Sequence, residues 1–307
     1  MNDFDIIANK AAELGCKVCP NEPLKNYTSF KIGGACPYLI KINSEESCRI
    51  LLMTAESLSV PYIVIGKGTN IVADDSGISA VVFYMGSDFS KISLINENTL
   101  FCQAGASLSK LCQTALENEL TGLEFAWGIP GSVGGAVYMN AGAYGGEIKD
   151  VIVSANALDC RGNTYKHDKN SLEMSYRKSV FSENKQVITS AVFQLAKGSY
   201  NSIKSAMDEI MEKRKSKQPL EYPSAGSMFK RPQGSYASLL IEQCGLKGLS
   251  VGGAEVSTKH SGFIINKNNA SFDDVMQLVK KVQDIVYKQT GYVLEQEPVI
   301  VSDRYIG

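Results

Sequence analysis

The feature that most constrains this chain of 307 residues is a run of seven glycines within twenty positions, GIPGSVGGAVYMNAGAYGGE from Gly128 to Glu147. Glycine loses more backbone entropy on folding than any other residue, so a dense run makes sense where the backbone must come very close to something. A flat or charged ligand is one such thing. Ser132 is placed to cap a short helix over 133–140, whose N-terminus would face a phosphate. The competing explanation is a helix packed on a sheet through its glycines. The adjacent Trp127, Tyr138 and Tyr144 argue against that.

A second glycine loop, Gly66-Lys67-Gly68-Thr69-Asn70, follows the apolar stretch Tyr62-Ile63-Val64-Ile65. It is not a dinucleotide turn of the Rossmann kind. Ile71 stands where a third glycine belongs, and the chain runs on into a turn and another strand, leaving no helix N-terminus for a pyrophosphate. Glycines can still aim successive N–H groups at phosphate oxygens without a helix. With Thr69 and Asn70 adding side-chain hydrogen bonds, the loop reads equally as a phosphate loop or a tight structural turn.

Periodicity organises the rest. Apolar Phe4, Ile7, Ala8, Ala11 and Leu14 predict a helix ending at Gly15. A strand over 37–42, a helix capped by Ser44, and strands over 62–65 and 80–84 make a β-α-β-β unit, the first lobe, residues 1–86. The second lobe, 87–198, holds a strand at 100–102, a helix capped by Ser107, the glycine run, a hairpin over 151–166 and a strand over 187–195. An amphipathic helix over 200–214 leads into a third lobe, 199–307. There the sequence predicts a helix at 236–244, a strand at 263–265, and a helix over 272–289 framed by a Ser271–Asp274 capping box and Gly291. A final strand is expected from Tyr292 to Val301.

Composition excludes several classes. With 44% hydrophobic and 21% charged residues and a net charge of -1, nothing calls for nucleic acid, a membrane surface or a polyanion. The acidic start Met1-Asn2-Asp3-Phe4-Asp5 is unlike a signal peptide, and no stretch nears the roughly 18 apolar residues of a membrane span. A soluble, cytoplasmic protein is expected. The eight cysteines are scattered, and only Cys16 and Cys19 form a C-x-x-C pair. Without a second pair, and with His167 and His260 far apart, they read as ordinary reduced thiols with no metal.

Further segments fall in a telling order. Asn26-Tyr27-Thr28-Ser29-Phe30-Lys31-Ile32-Gly33-Gly34 precedes the two glycine loops. After them come Ser175-Tyr176-Arg177-x-Ser179-x-Phe181, then Arg214-x-x-Lys217-Gln218-Pro219, then Ser224-Ala225-Gly226-Ser227-x-Phe229, and last Leu294-Glu295-x-Glu297. Over nearly its whole length the chain resembles the UDP-N-acetylenolpyruvoylglucosamine reductase family. The short interval between Arg177 and Ser227 resembles the shorter, type II subclass.

That resemblance implies an α+β fold: an FAD-binding fold of the vanillyl-alcohol-oxidase (PCMH) type in two lobes, plus a C-terminal α+β substrate-binding domain. It implies FAD held noncovalently, since neither histidine lies in a glycine loop. The FAD contacts would fall on Gly66, Lys67, Gly68, Thr69, Asn70 and Ile71. In the longer run they would fall on Ile129, Pro130, Gly131, Ser132, Gly134, Gly135, Asn140, Ala141, Gly142, Ala143 and Tyr144. The implied reaction is NADPH-dependent reduction of UDP-N-acetylglucosamine enolpyruvate to UDP-N-acetylmuramate, in peptidoglycan precursor synthesis. A monomer is expected.

In that reaction hydride reaches the β-carbon of an enol ether, so charge builds at the α-carbon and on the neighbouring carboxylate. The family's catalytic positions fall on Arg177, Ser227 and Glu297. Arg177 would hold the developing charge, since a guanidinium matches a carboxylate and keeps its proton. Ser227 would give a proton to the α-carbon. Glu297 would act beside them as a protonated donor, which needs a raised pKa. Tyr176, Arg214, Lys217 and Lys230 would join Arg177, Ser227 and Glu297 in binding the substrate, with Arg214 and Lys217 at its diphosphate. Read singly, Arg177 is a surface arginine, Ser227 a turn residue and Glu297 a solvated carboxylate; the shared spacing reverses that judgement. Two positions depart from the family: Pro298-Val299 stands where Val-Arg is common, and Arg231 where a small polar residue is frequent.

Three other functions compete. A flavin oxidase of the same fold is disfavoured by the Ser227 and Glu297 motifs and by Arg214–Lys217. A noncatalytic UDP-sugar sensor would have lost one of the three catalytic residues. A Rossmann dehydrogenase fails at Gly66.

Overall fold

The helix expected to end at Gly15 forms as Asp3–Glu13, burying Ile7, Ala8 and Ala11. Ser44 starts the next α-helix, Glu45–Ser57: its hydroxyl accepts from the Ser47 amide, and the Ser47 hydroxyl accepts from the Ser44 amide. The helix buries Cys48, Leu51, Leu52 and Ala55, and each leucine so buried contributes roughly 1.5–3 kcal/mol. The expected strands form as Ala35–Lys41, Val81–Tyr84 and Tyr62–Ile65 and lie parallel in one sheet in that order. An unexpected strand, Lys17–Pro23, forms the edge of that sheet. Its two prolines hide it from a propensity reading, and an edge is where a sheet tolerates proline.

The computed structural model describes residues 2–304; Met1 and residues 305–307, the outer ends of the first and third expected lobes, lie outside that range. The chain divides into two compact units. Unit one takes residues 1–21, 37–67 and 80–212, and unit two takes 22–36, 68–79 and 213–307.

Unit one is completed by a five-stranded antiparallel sheet. Its order is Thr164–Asp168, Ile152–Leu158, Val187–Gln194, Thr99–Gln103, Ile92–Asn96. The central Val187–Gln194 is buried at most positions, Thr189 and Ser190 included. The helix Leu108–Glu117, capped by Ser107, buries Leu108, Leu111, Cys112, Ala115 and Leu116. One core joins these elements through Phe83, Phe89, Phe181 and Phe193.

Unit two has its own core, built on Phe30, Val72, Phe229, Ile264 and Phe272. Its antiparallel sheet runs Ser224–Ser227, Phe263–Asn266, Ala254–Val256, Ser250–Val251. The helix Phe272–Thr290 is framed as expected by the reciprocal Ser271–Asp274 bonds and by Gly291 at φ 75°. Val275, Leu278, Val279, Val282 and Val286 form its buried face. Ile71–Ala73 pairs in parallel with Val299–Val301.

The strand expected from Tyr292 to Val301 forms only over Val299–Val301. Before it, Gln296 makes a single bridge to Phe229, and Pro298, lacking an N–H, interrupts the ladder.

Candidate active site

In unit one the two glycine loops meet. A Cβ added to Gly66 would lie 2.0 Å from Ser132 Oγ, so only glycine lets the loop after Tyr62–Ile65 come this close. The amides of Gly66, Lys67, Gly131 and Ser132 have no hydrogen-bond partner among the described residues. Four N–H groups on two converging loops suit an anionic group such as a pyrophosphate, so these segments fit FAD.

The short helix forms as Val133–Tyr138, with Ser132 Oγ accepting from the Gly135 amide at 3.3 Å. Its N-terminus, however, is not offered to a phosphate. The Val133 amide donates to the Ala106 carbonyl and the Gly134 amide to Ala104, each at 2.8 Å. Gly134 is glycine for packing, since an added Cβ would meet the Ala104 Cβ at 2.9 Å. Trp127 and Tyr138 pack partly buried against the core. The packing explanation thus holds for this part of the run. Ile129 and Ala141 also lie against the core, and Tyr144 is exposed at the tip of the small hairpin Gly142–Ala143 with Gly146–Glu147.

Asn140 is buried at 1% exposure, and its carboxamide is engaged within the protein. Nδ2 donates to Glu147 Oε2 at 2.6 Å and to the Ser175 carbonyl at 2.9 Å, while Oδ1 accepts from the Lys149 amide at 2.9 Å. The Ser175 contact carries it to the next motif. Ser175 and Lys178 exchange backbone bonds across a two-residue turn whose tip is Tyr176-Arg177. Arg177 has φ 57°, and its guanidinium carbon lies 5.1 Å from the Tyr176 ring centroid.

Unit two brings Ser227, Glu297 and Asn70 together. The Glu297 amide donates to the Met228 carbonyl at 3.0 Å, and the Lys230 amide to the Glu295 carbonyl at 2.8 Å. The Leu294–Glu297 segment is thereby tied to the chain just after Ser227. Asn70 Nδ2 donates to the Glu297 carbonyl at 3.3 Å, from a loop far away in sequence. The Ser227 hydroxyl is half-buried and bonds to nothing among the described residues.

The Asn26–Gly34 motif acts here as a brace. The Ser29 amide donates to the Gly68 carbonyl, and Ser29 Oγ to the Ser224 carbonyl at 2.6 Å. Gly68 is buried, and Thr69 and Asn70 are half-buried. Ile71 opens the strand that pairs with Val299, so the position that departs from the family is a ladder partner. Ser29 and Ser179 escaped sequence reading, although the motifs that contain them were visible.

The remaining positions expected to bind substrate differ in exposure. Arg214 is buried, whereas Lys217 is exposed at the end of the helix Tyr200–Lys217. Lys230 Nζ pairs with Glu295 at 3.4 Å, and Arg231 sits over the Tyr236 ring at 4.7 Å.

None of the eight cysteines is in a disulfide. Burial pushes the Cys48, Cys102 and Cys112 thiols up to about 12, which keeps them protonated and inert at neutral pH. No group of three metal-ligating side chains occurs among the described residues, and no described helix is long and apolar enough to cross a membrane.

Comparison with known proteins resolves the class first: residues 37–168 match the FAD binding domain, which makes this a flavin-binding protein of the fold described above. Residues 218–301 match the C-terminal domain of UDP-N-acetylenolpyruvoylglucosamine reductase. A reductase of that name from Clostridium novyi (strain NT) is 47% identical over 92% of this chain and 91% of its own. Another from Clostridium tetani (strain Massachusetts / E88) is 45% identical over 99% of both. The crystal structure of UDP-N-acetylenolpyruvylglucosamine reductase from Thermus caldophilus superposes with a TM-score of 0.79 at 32% identity, covering 94% of this chain and 99% of that one. The chain belongs to the UDP-N-acetylenolpyruvoylglucosamine reductase family.

Proposed function

We propose that this protein reduces UDP-N-acetylglucosamine enolpyruvate to UDP-N-acetylmuramate at the expense of NADPH, as a cytoplasmic monomer making peptidoglycan precursors. Bound FAD would supply the hydride chemistry, relaying hydride from NADPH to the β-carbon of the enol ether. The protein's task is to bind that ether, hold its carboxylate and protonate the α-carbon.

Arg177 pairs with the substrate carboxylate and keeps its own charge throughout. Ser227 gives its hydroxyl proton to the α-carbon, a transfer favourable only because the acceptor is carbanion-like. Glu297 donates a hydrogen bond to the developing charge from its protonated carboxyl. Arg214 and Lys217 take the diphosphate, with Tyr176 and Lys230 lining the substrate. FAD is held by residues 66–71, 129–132, 134–135 and 141–144 and by the backbone of Asn140, whose carboxamide is engaged within the protein, and the expected lobes 1–86, 87–198 and 199–307 divide these duties.

One observation carries this reading. Ser227 and Glu297, far apart in sequence, belong to neighbouring segments locked by the bond from the Glu297 amide to Met228, and the Ser227 hydroxyl bonds to nothing among the described residues. The test is product analysis: the purified, FAD-loaded protein with NADPH should convert the enolpyruvyl ether to UDP-N-acetylmuramate. NADPH oxidation that needs oxygen and leaves the ether unchanged would refute the reading.

A further inference from the structure

The Tyr176-Arg177 turn holds an arginine at φ 57°, a left-handed conformation that side chains with a Cβ disfavour. Such a conformation persists where the surroundings over-determine it. Here two side-chain bonds do so, one on each flank of the turn. Asn140 Nδ2 donates to the Ser175 carbonyl at 2.9 Å, and Ser179 Oγ donates to the Tyr138 carbonyl at 2.7 Å. Both run to the end of the Val133–Tyr138 helix and the residues just after it, inside the longer glycine run.

Asn140 is the more specific of the two anchors. Both of its N–H donors are used, and its oxygen faces the Lys149 amide, which can only donate. The orientation of the carboxamide is therefore fixed by its partners. No ligand is needed to satisfy it. Its burial, with Ser179 fully buried beside it, leaves the flanks of the turn little freedom while Tyr176 stays exposed and Arg177 half-buried.

We infer that Asn140, aided by Ser179, is a positioning residue for Arg177: it fixes the turn that presents the guanidinium to the substrate carboxylate, and its side chain does not contact FAD. This rests on the role proposed for Arg177. A guanidinium displaced by about an ångström from its place in the transition state costs on the order of 100-fold in rate.

The test uses the full-length, FAD-loaded protein without oxygen. Flavin content, Tm, the rate of bleaching by NADPH and the rate of colour recovery with the enolpyruvyl substrate are measured for each variant. Asn140→Ala should slow recovery by about 10- to 100-fold while flavin content and bleaching stay within about twofold of the parent. Asn140→Asp combined with Glu147→Gln reverses donor and acceptor across that pair and keeps an acceptor for the Lys149 amide. It has no donor for the Ser175 carbonyl. That double variant should regain Tm relative to Asn140→Ala yet keep the slow recovery.

If it regains both, Asn140 is merely structural and the inference is overturned. Flavin loss in Asn140→Ala at unchanged Tm would overturn it too, by assigning the side chain to FAD. Arg177→Met separates the two readings. Parent-like recovery in Arg177→Met removes the proposed role of Arg177 itself. Slow recovery there with parent-like recovery in Asn140→Ala removes only the positioning role. Should Asn140→Ala not fold, Ser179→Ala decides: slowed recovery with normal bleaching supports the inference, and parent rates overturn it.

Discussion

In unit one Arg177 rides on a turn pinned from its flanks by buried side chains, whereas in unit two Ser227 and Glu297 sit in segments tied to each other by backbone bonds. The buried polar centres differ as well. Unit one relies on the neutral carboxamide of Asn140. Unit two relies on Asp74, which takes hydrogen bonds from Ser302, from the Ser76 amide and hydroxyl, and a contact from Arg304 at 3.3 Å. The contrast teaches that side-chain changes at Ser227 and Glu297 should remove chemistry and leave the frame standing. Changes in the glycine run of unit one should remove the frame first.

The largest effect is expected at Ser227. Ser227→Ala should slow reoxidation by the enolpyruvyl substrate by roughly 10²- to 10⁴-fold, with NADPH bleaching the flavin at the parent rate. Equal losses in both half-reactions would erase the contrast between the units. Glu297→Gln should slow the same half-reaction by about 100-fold, because an amide donates a weaker hydrogen bond to developing charge. Unchanged turnover would take Glu297 out of the mechanism.

Gly134→Val tests unit one. Its new side chain meets Ala104 on the neighbouring backbone, and overpacking of this kind costs about 1–3 kcal/mol. Both Tm and flavin content should fall together. A fully yellow variant of parent stability would show that the packing is not needed.

The smallest effect concerns acid. Burial alone would raise the Asp74 carboxyl, but the hydrogen bonds from Ser302 and Ser76 and the charge of Arg304 outweigh it and hold the pKa below the ordinary value. The folded pKa is therefore the lower one. The stability it confers is fully present above the unfolded value of about 3.9 and is lost as pH falls through the folded pKa. Asp74→Asn should cost about 1–3 kcal/mol at pH 7, and its deficit against the parent should close in acid. A deficit that does not shrink as pH falls below the unfolded value of about 3.9 would mean the charge is not what matters.

Much of this arrangement was legible in the residues. Ser44, Ser107, Ser132 and the Ser271–Asp274 pair announced their helices because capping is local chemistry. What could not be read was long-range. Ile71–Ala73 belongs with Val299–Val301, and nothing in either triplet names the other. The strand Lys17–Pro23 was masked by its prolines. The site divides in the same way: the ordered motifs pointed to Arg177, Ser227 and Glu297, but composition alone could not tell a glycine that admits a ligand from one that admits a neighbour. Gly66 approaches Ser132 beside unbonded amides, while Gly134 packs on Ala104 with its amide already spent.

The most direct test of the central claim is the visible spectrum of the purified protein, followed without oxygen through addition of NADPH and then UDP-N-acetylglucosamine enolpyruvate. Flavin bands that bleach with NADPH and return with the enolpyruvyl ether are the predicted result. A protein that carries no flavin and cannot be reconstituted with FAD, or one whose bleached bands ignore that substrate, would contradict it.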